Sequence, residues 1–246
     1  MHNFHSMTVR EIALEMPITT RVFEQFKIDY CCHGNTLFDK ACEDAGAEPG
    51  IVMEKIDGII GKLGNREHAW LADASLGELI DHILDKHHVY TRSEMEQLTP
   101  LMAKVATRHG DHYGYLLELK ESFIALCAEL TPHMMKEENV LFPYIRRLED
   151  DLSKQIQGLM PPFGTVQNPI RMMRVEHDKA GDLLREMRVV TNDYALPDDA
   201  CPSFSALYSR LAEFEADLHQ HIHLENNLLF PRAVELEQKT FPLALE

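Results

Sequence analysis

The sequence predicts an all-α protein, an up-down four-helix bundle preceded by a small N-terminal helical domain. Three observations carry this. No segment of useful length alternates apolar and polar residues with the two-residue period of a strand. Four long segments repeat apolar residues at three- and four-residue spacing, the pattern of helices that share a seam. Turn-forming residues separate them: Gly110, then Gly158 to Pro169, then Asn192 to Pro197.

Short helical pieces are expected first, over 8–15, 18–27 (just past Pro17) and 36–46, followed by an amphipathic stretch over 50–63. Gly58, Gly61 and Gly64-Asn65 then lead into a polar stretch, which puts a boundary near 65–74 and the small domain at residues 1–66. Ser75 with Glu78 three residues later reads as a capping box. It opens a long helix to about Arg108, and with it the bundle, residues 75–240. The other long helices are expected over 112–149, 170–191 and 199–238, with a loop over 158–169. The seams pass through Leu84, His88 and Thr91; through Leu130, His133, Glu137 and Val140; through Met173, His177 and Ala180; and through Leu218, His221, Glu225 and Leu228. Each helix therefore drives at least one imidazole toward the core.

Composition narrows the function. With 24 Lys+Arg against 40 Asp+Glu the chain carries a formal charge of −16, which opposes binding to nucleic acid or to an anionic membrane. Its apolar runs are too short for a membrane span, and the first residues lack the basic and apolar regions of a secretion signal, so a cytoplasmic protein is expected. Five Cys, two of them adjacent (Cys31, Cys32), do not form a disulfide framework.

The chemistry lies in a repeat. The motif His-x3-Glu-x-Asn-[Val/Leu]-Leu-Phe-Pro occurs from His133 to Pro143 and again from His221 to Pro231, 88 residues on. His88 precedes the first copy by 45 residues and His177 the second by 44, so the bundle is two copies of one helical hairpin. Residues four apart share a helix face, so four imidazoles and two carboxylates converge. Buried and unpaired, such groups cost several kcal/mol each, and no seam Lys or Arg opposes them, so a metal cation is the expected compensator. Six ligands exceed the four of a structural zinc. Imidazole with carboxylate suits iron, and ligand type leaves manganese open. If both Glu bridge, two ions each receive two His and two carboxylate oxygens, and an oxo or hydroxo bridge would still leave each an open position. Glu129 and Asp217, each four residues before a motif His, and Glu176, next to His177, are candidate supporting carboxylates or an ion or proton path. Cys31 and Cys32 are candidate functional thiols, while Cys42, Cys127 and Cys201 read as small buried hydrophobes and the Leu-Phe-Pro tails as packing with a helix kink at Pro143 and Pro231.

The His…His-x3-Glu hairpin pair resembles the hemerythrin-like di-iron domain, and Asp29-Tyr30-Cys31-Cys32 in a short helical module resembles the companion domain of the repair-of-iron-centres family. That resemblance implies a non-haem di-iron protein of the bacterial cytoplasm that restores iron–sulfur clusters damaged by nitric oxide or peroxide. Its two irons would sit on His88, His133, Glu137, His177, His221 and Glu225. Oxygen-carrying hemerythrins have a fifth histidine ligand, for which no extra seam position stands out. Damaged iron–sulfur proteins are the implied partners, nitric oxide or O2 the small ligands, and a homodimer is compatible. Binding and reduction of nitric oxide, or reversible carriage or sensing of a gas, are the alternatives, and the cysteine module favours repair.

Overall fold

The computed structural model describes residues 4–63, 70–154, 156 and 160–241. Among these there is no strand, only an isolated bridge between Thr8 and Leu37. Four helices build the N-terminal unit: α1 (Val9–Glu15), α2 (Thr20–Phe26, entered through a 3-10 turn at Pro17–Thr19), α3 (Phe38–Asp44) and α4 (Pro49–Leu63). Thr8 and Glu11 form a capping box at the start of α1. Phe4, Ile12, Phe23, Tyr30, Phe38 and Ile56 fill the unit's own core, which is closed by Ile222 from the bundle. The proposed boundary at 66 lies outside the described residues. A short helix, α5 (Trp70–Asp73), occupies what reads in sequence as a polar connection.

The four long helices follow: α6 (76–109), α7 (115–153), α8 (Gln167–Val190) and α9 (202–240). Ser75 and Glu78 make the expected capping box on α6. α8 begins three residues earlier than the pattern suggests and takes Pro169 into its first turn, where an N–H has no helical partner to lose. Neighbouring helices alternate in direction, with α6 against α7 and α9 and α7 against α8. Pro132, inside α7, removes one helical N–H without ending the helix, and the adjacent Thr131 hydroxyl donates to the Cys127 carbonyl at 2.8 Å.

Three of the four helices contain a π-helical turn: Ile83–His88 in α6, Glu137–Leu141 in α7 and Leu224–Leu229 in α9. A π turn holds one residue more than an α turn, so it advances the seam by one position. Ile83, Leu141 and Leu229 are buried, whereas the seam residues expected from regular spacing, Leu84, Val140 and Leu228, are only partly buried or, for Val140, 46% exposed. Pro143 and Pro231 come directly after two of these turns, so the helix absorbs them by widening. α8 has no such turn, and its regular seam, Ile170, Met173, His177, Ala180, Leu184 and Met187, is buried throughout.

Two apolar clusters fill the bundle. One, around Leu79, Ile145, Ile170 and Phe230, occupies one end, and the other, around Leu98, Phe123, Leu184 and Phe214, the opposite end. Between them lies a layer of buried polar side chains: His88, His133, Glu137, His177, His221 and Glu225, all at most 3% exposed. Packed apolar layers above and below hold these side chains in place.

Candidate metal centre

The six motif residues form two groups that share both carboxylates: His88, His221, Glu137 and Glu225 in one, His133, His177, Glu137 and Glu225 in the other. The Nε2 atoms of His88 and His221 face each other at 3.1 Å, and those of His133 and His177 at 3.2 Å. Glu137 sets Oε2 3.4 Å from His88 Nε2 and Oε1 3.3 Å from His133 Nε2. Glu225 sets Oε1 3.1 Å from His221 Nε2 and Oε2 3.0 Å from His177 Nε2. Each carboxylate thus gives one oxygen to each histidine pair.

Two tests of fit favour a pair of cations. Two imidazole nitrogens bound to one ion at 2.0–2.1 Å stand about 3.0–3.4 Å apart, which matches both facing pairs. Glu137 Oε1 and Oε2 and Glu225 Oε2 are buried without a hydrogen-bond partner, an arrangement costing several kcal/mol unless a cation satisfies it. Burial alone would raise the carboxyl groups. Even so, His221 and His177 hold Glu225 well below the ordinary carboxylate range, and His133 keeps Glu137 low against the repulsion of Glu225. Burial disfavours the His133 cation, but Glu137 and Glu225 overcome it and carry its pKa up to about 9. The site therefore attracts positive charge, and protons compete with metal for it.

The outer ring nitrogens are differently served. His88 Nδ1–H donates to Glu138 Oε1 at 2.7 Å, an oxygen that also accepts from Arg92 at 2.6 Å. His133 Nδ1–H donates to Glu176 at 2.9 Å, and Lys136 pairs with the same carboxylate. His177 Nδ1–H donates to the amide oxygen of Asn226 at 3.1 Å. His221 Nδ1 is buried without a partner, and its ring stacks on His87 with centroids 5.7 Å apart. Such bonds fix the tautomer that turns Nε2 inward.

Of the supporting carboxylates read from sequence, Glu176 thus lies directly behind a motif histidine. Asp217 instead accepts from His87 at 3.0 Å, and Glu129 pairs with Lys179 at 2.5 Å on the rim of a narrow cleft that reaches His133 and His177. Sequence reasoning missed Glu138 and Asn226. Both occupy the position directly after the motif Glu, a correspondence visible once the two copies are aligned. His87 and His223, which fall outside the motif positions, are also buried, at 2% and 4% exposure.

Cys31 and Cys32 are free thiols, Cys31 buried and Cys32 half-buried, at the seat of the N-terminal unit on the bundle. Asn226 Nδ2 donates to the Cys31 carbonyl at 3.3 Å and Asn227 Nδ2 to the Tyr30 carbonyl at 3.1 Å. Cys42 is buried, whereas Cys127 and Cys201 are only half-buried.

The hemerythrin HHE cation binding domain family matches residues 79–233, and the ScdA_N domain of unknown function (DUF542) matches residues 5–59. The probable iron-sulfur cluster repair protein of Haemophilus influenzae is 34% identical over 94% of this chain and 98% of its own length. The iron-sulfur cluster repair proteins YtfE of Dickeya chrysanthemi and of Escherichia coli are 35% and 34% identical, over 96% and 94% of this chain and 100% and 98% of theirs. With both domains matched in order and relatives aligned along nearly its whole length, the chain belongs to the repair-of-iron-centres family of hemerythrin-like iron–sulfur cluster repair proteins.

Proposed function

We propose that this protein repairs iron–sulfur clusters damaged by nitrosative or oxidative stress, with iron as the cargo it supplies from a labile two-iron centre. His88 and His221 would hold one ion, His133 and His177 the other, and Glu137 and Glu225 would bridge them. The observation that carries the reading is the division of each carboxylate between the two histidine pairs, 3.0–3.4 Å from every Nε2. Holding each ion with two His and two carboxylate oxygens, these residues would leave coordination positions free for nitric oxide, O2 or a group of the recipient protein. Damaged iron–sulfur proteins are the proposed partners. No helix among the described residues is long and apolar enough to cross a membrane.

The test is metal analysis with Mössbauer spectroscopy on protein purified without oxygen or chelator, followed by incubation with a nitric-oxide-treated iron–sulfur protein. About two irons per chain in a coupled centre, falling as the recipient's cluster returns, are expected. One zinc, or no iron retained after reconstitution, would overturn the reading. In the same assay Cys31→Ala with Cys32→Ala should leave the iron spectrum intact and slow restoration. Full repair by that variant would exclude a thiol role.

A further inference from the structure

The N-terminal unit carries a second group of ligand-type atoms, outside the bundle. After α2 the chain turns sharply at Asp29, whose Oδ1 accepts the N–H groups of Cys31, Cys32 and His33 at 3.2, 2.9 and 3.3 Å. This local cap bends the backbone so that two adjacent cysteines, which in a strand would point to opposite faces, turn their sulfurs the same way. The Sγ atoms stand 3.7 Å apart, and Cys31 Sγ is 3.5 Å from Asp29 Oδ1.

Two of these distances match edges of a coordination tetrahedron, and the ligand atoms of Asp29, Cys31 and Cys32 all lie within 4.8 Å of one another. An ion bound to two thiolates at 2.3 Å and one carboxylate oxygen at 2.0–2.2 Å separates its sulfurs by about 3.7–3.8 Å and sulfur from oxygen by about 3.5–3.7 Å. In the structure the same two distances are spanned by S–H hydrogen bonds, one between the thiols and one from Cys31 to Asp29, and an ion would replace both. The thiols border a cleft that also reaches Lys27, Glu24 and His219 and leaves a fourth position accessible. α8 presents Gly181 there, where a Cβ would meet Cys32 Sγ at 3.7 Å, an ordinary van der Waals contact.

We propose that Asp29, Cys31 and Cys32 form a thiolate metal site for one thiophilic divalent cation, separate from the centre in the bundle. Its use as a station for ferrous iron leaving that centre rests on the repair reading; the site itself does not. Binding exchanges two S–H bonds for two metal–sulfur bonds and releases two protons to solvent, with no change of oxidation state. Asp29 Oδ1, already committed to three N–H groups, is a weak third ligand, and the hydrogen bond with Cys32, followed by burial, pushes Cys31 well above the ordinary thiol range. Both features keep affinity moderate, as a transfer site requires. The two sites are joined through one side chain: Asn226 accepts from His177 and donates to the Cys31 carbonyl.

The test is a cobalt(II) titration of reduced, iron-loaded protein under anaerobic conditions. One further equivalent should bind with a near-ultraviolet thiolate-to-cobalt band and release two protons, its apparent affinity rising up to about hundredfold per pH unit while both thiols are protonated. Cys32→Ser should abolish the band with the iron spectrum unchanged. Asp29→Asn should keep the band and weaken binding at least tenfold. Absence of the band from the wild-type protein, or its survival in Cys31→Ser with Cys32→Ser, would overturn the proposal. Iron content of the same samples separates the two readings: a cobalt band on protein that holds no iron upholds this site and defeats the iron-supply reading. Iron without a band does the reverse.

Discussion

The two hairpins, α6–α7 and α8–α9, carry one motif and use it differently. Toward the centre they are equivalent, each giving two imidazoles and one carboxylate. Away from it they diverge. Behind His88 stands the carboxylate of Glu138, tied to Arg92 near solvent, and behind His177 stands the amide of Asn226. Asn139 of the first copy is exposed and donates to the Met135 carbonyl on its own helix, whereas Asn227 is buried against Tyr30 and His223. The cause is the N-terminal unit, whose Arg10, Tyr30 and Cys31 bond to Asn226 and Asn227 of the second copy. The residues that converge at the centre answer to the internal symmetry, and those just outside answer to whatever packs there.

The largest effect should come from breaking the symmetric part. On the proposed two-ion centre, Glu137→Ala or Glu225→Ala would remove an oxygen from each ion, whereas His88→Ala would remove one nitrogen from one ion. Iron per chain after purification should therefore fall nearly to zero in either Glu variant and to about half in His88→Ala. Equal iron in all three would contradict a bridging role. Glu138→Ala comes next, because it frees the outer nitrogen of His88 and leaves Arg92 unpaired. Loss of such a partner costs roughly 10- to 100-fold in metal affinity. Chelator competition should show one ion weakened and the other held, while a uniform loss would mean that the centre responds as one unit.

How much of this was legible in sequence follows the same division. Spacing alone brought His88, His133, Glu137, His177, His221 and Glu225 together, because a two-fold repeat of His-x3-Glu on helices leaves few other arrangements. The one-residue seam shifts at Leu84, Val140 and Leu228 were hidden. A π turn leaves no mark in an apolar pattern, since Leu-Leu or Val-Leu pairs satisfy either register, and Pro143 and Pro231 hint at only two of the three turns. Glu129 and Asp217 show the limit of helical periodicity. Each lies four residues before a motif histidine, yet Glu129 turns to Lys179 and Asp217 to His87, on neighbouring helices. Partners across helices depend on rotation and stagger, which one strand of text does not contain.

The smallest predicted effect tests the comparison most directly, since it changes the same motif residue in both copies. Asn227 donates to the Tyr30 carbonyl at 3.1 Å and to His223 Nδ1 at 2.9 Å, and Arg10 of the N-terminal unit donates to its carbonyl at 3.1 Å. The buried His223 is held neutral, with its pKa lowered to about 4 by burial, so Nδ1 is available as an acceptor. Asn227→Ala would leave the buried His223 Nδ1 without its donor and take one donor from the Tyr30 carbonyl, a loss of about 1–3 kcal/mol. Asn139→Ala removes one exposed bond within a helix and should change stability by less than about 0.5 kcal/mol. Urea unfolding at matched iron content measures both, and limited proteolysis should cut the N-terminal unit faster in Asn227→Ala alone. Equal stability of the two variants would mean that the unit is held by its apolar contact through Ile222, with the asparagine a bystander in both copies.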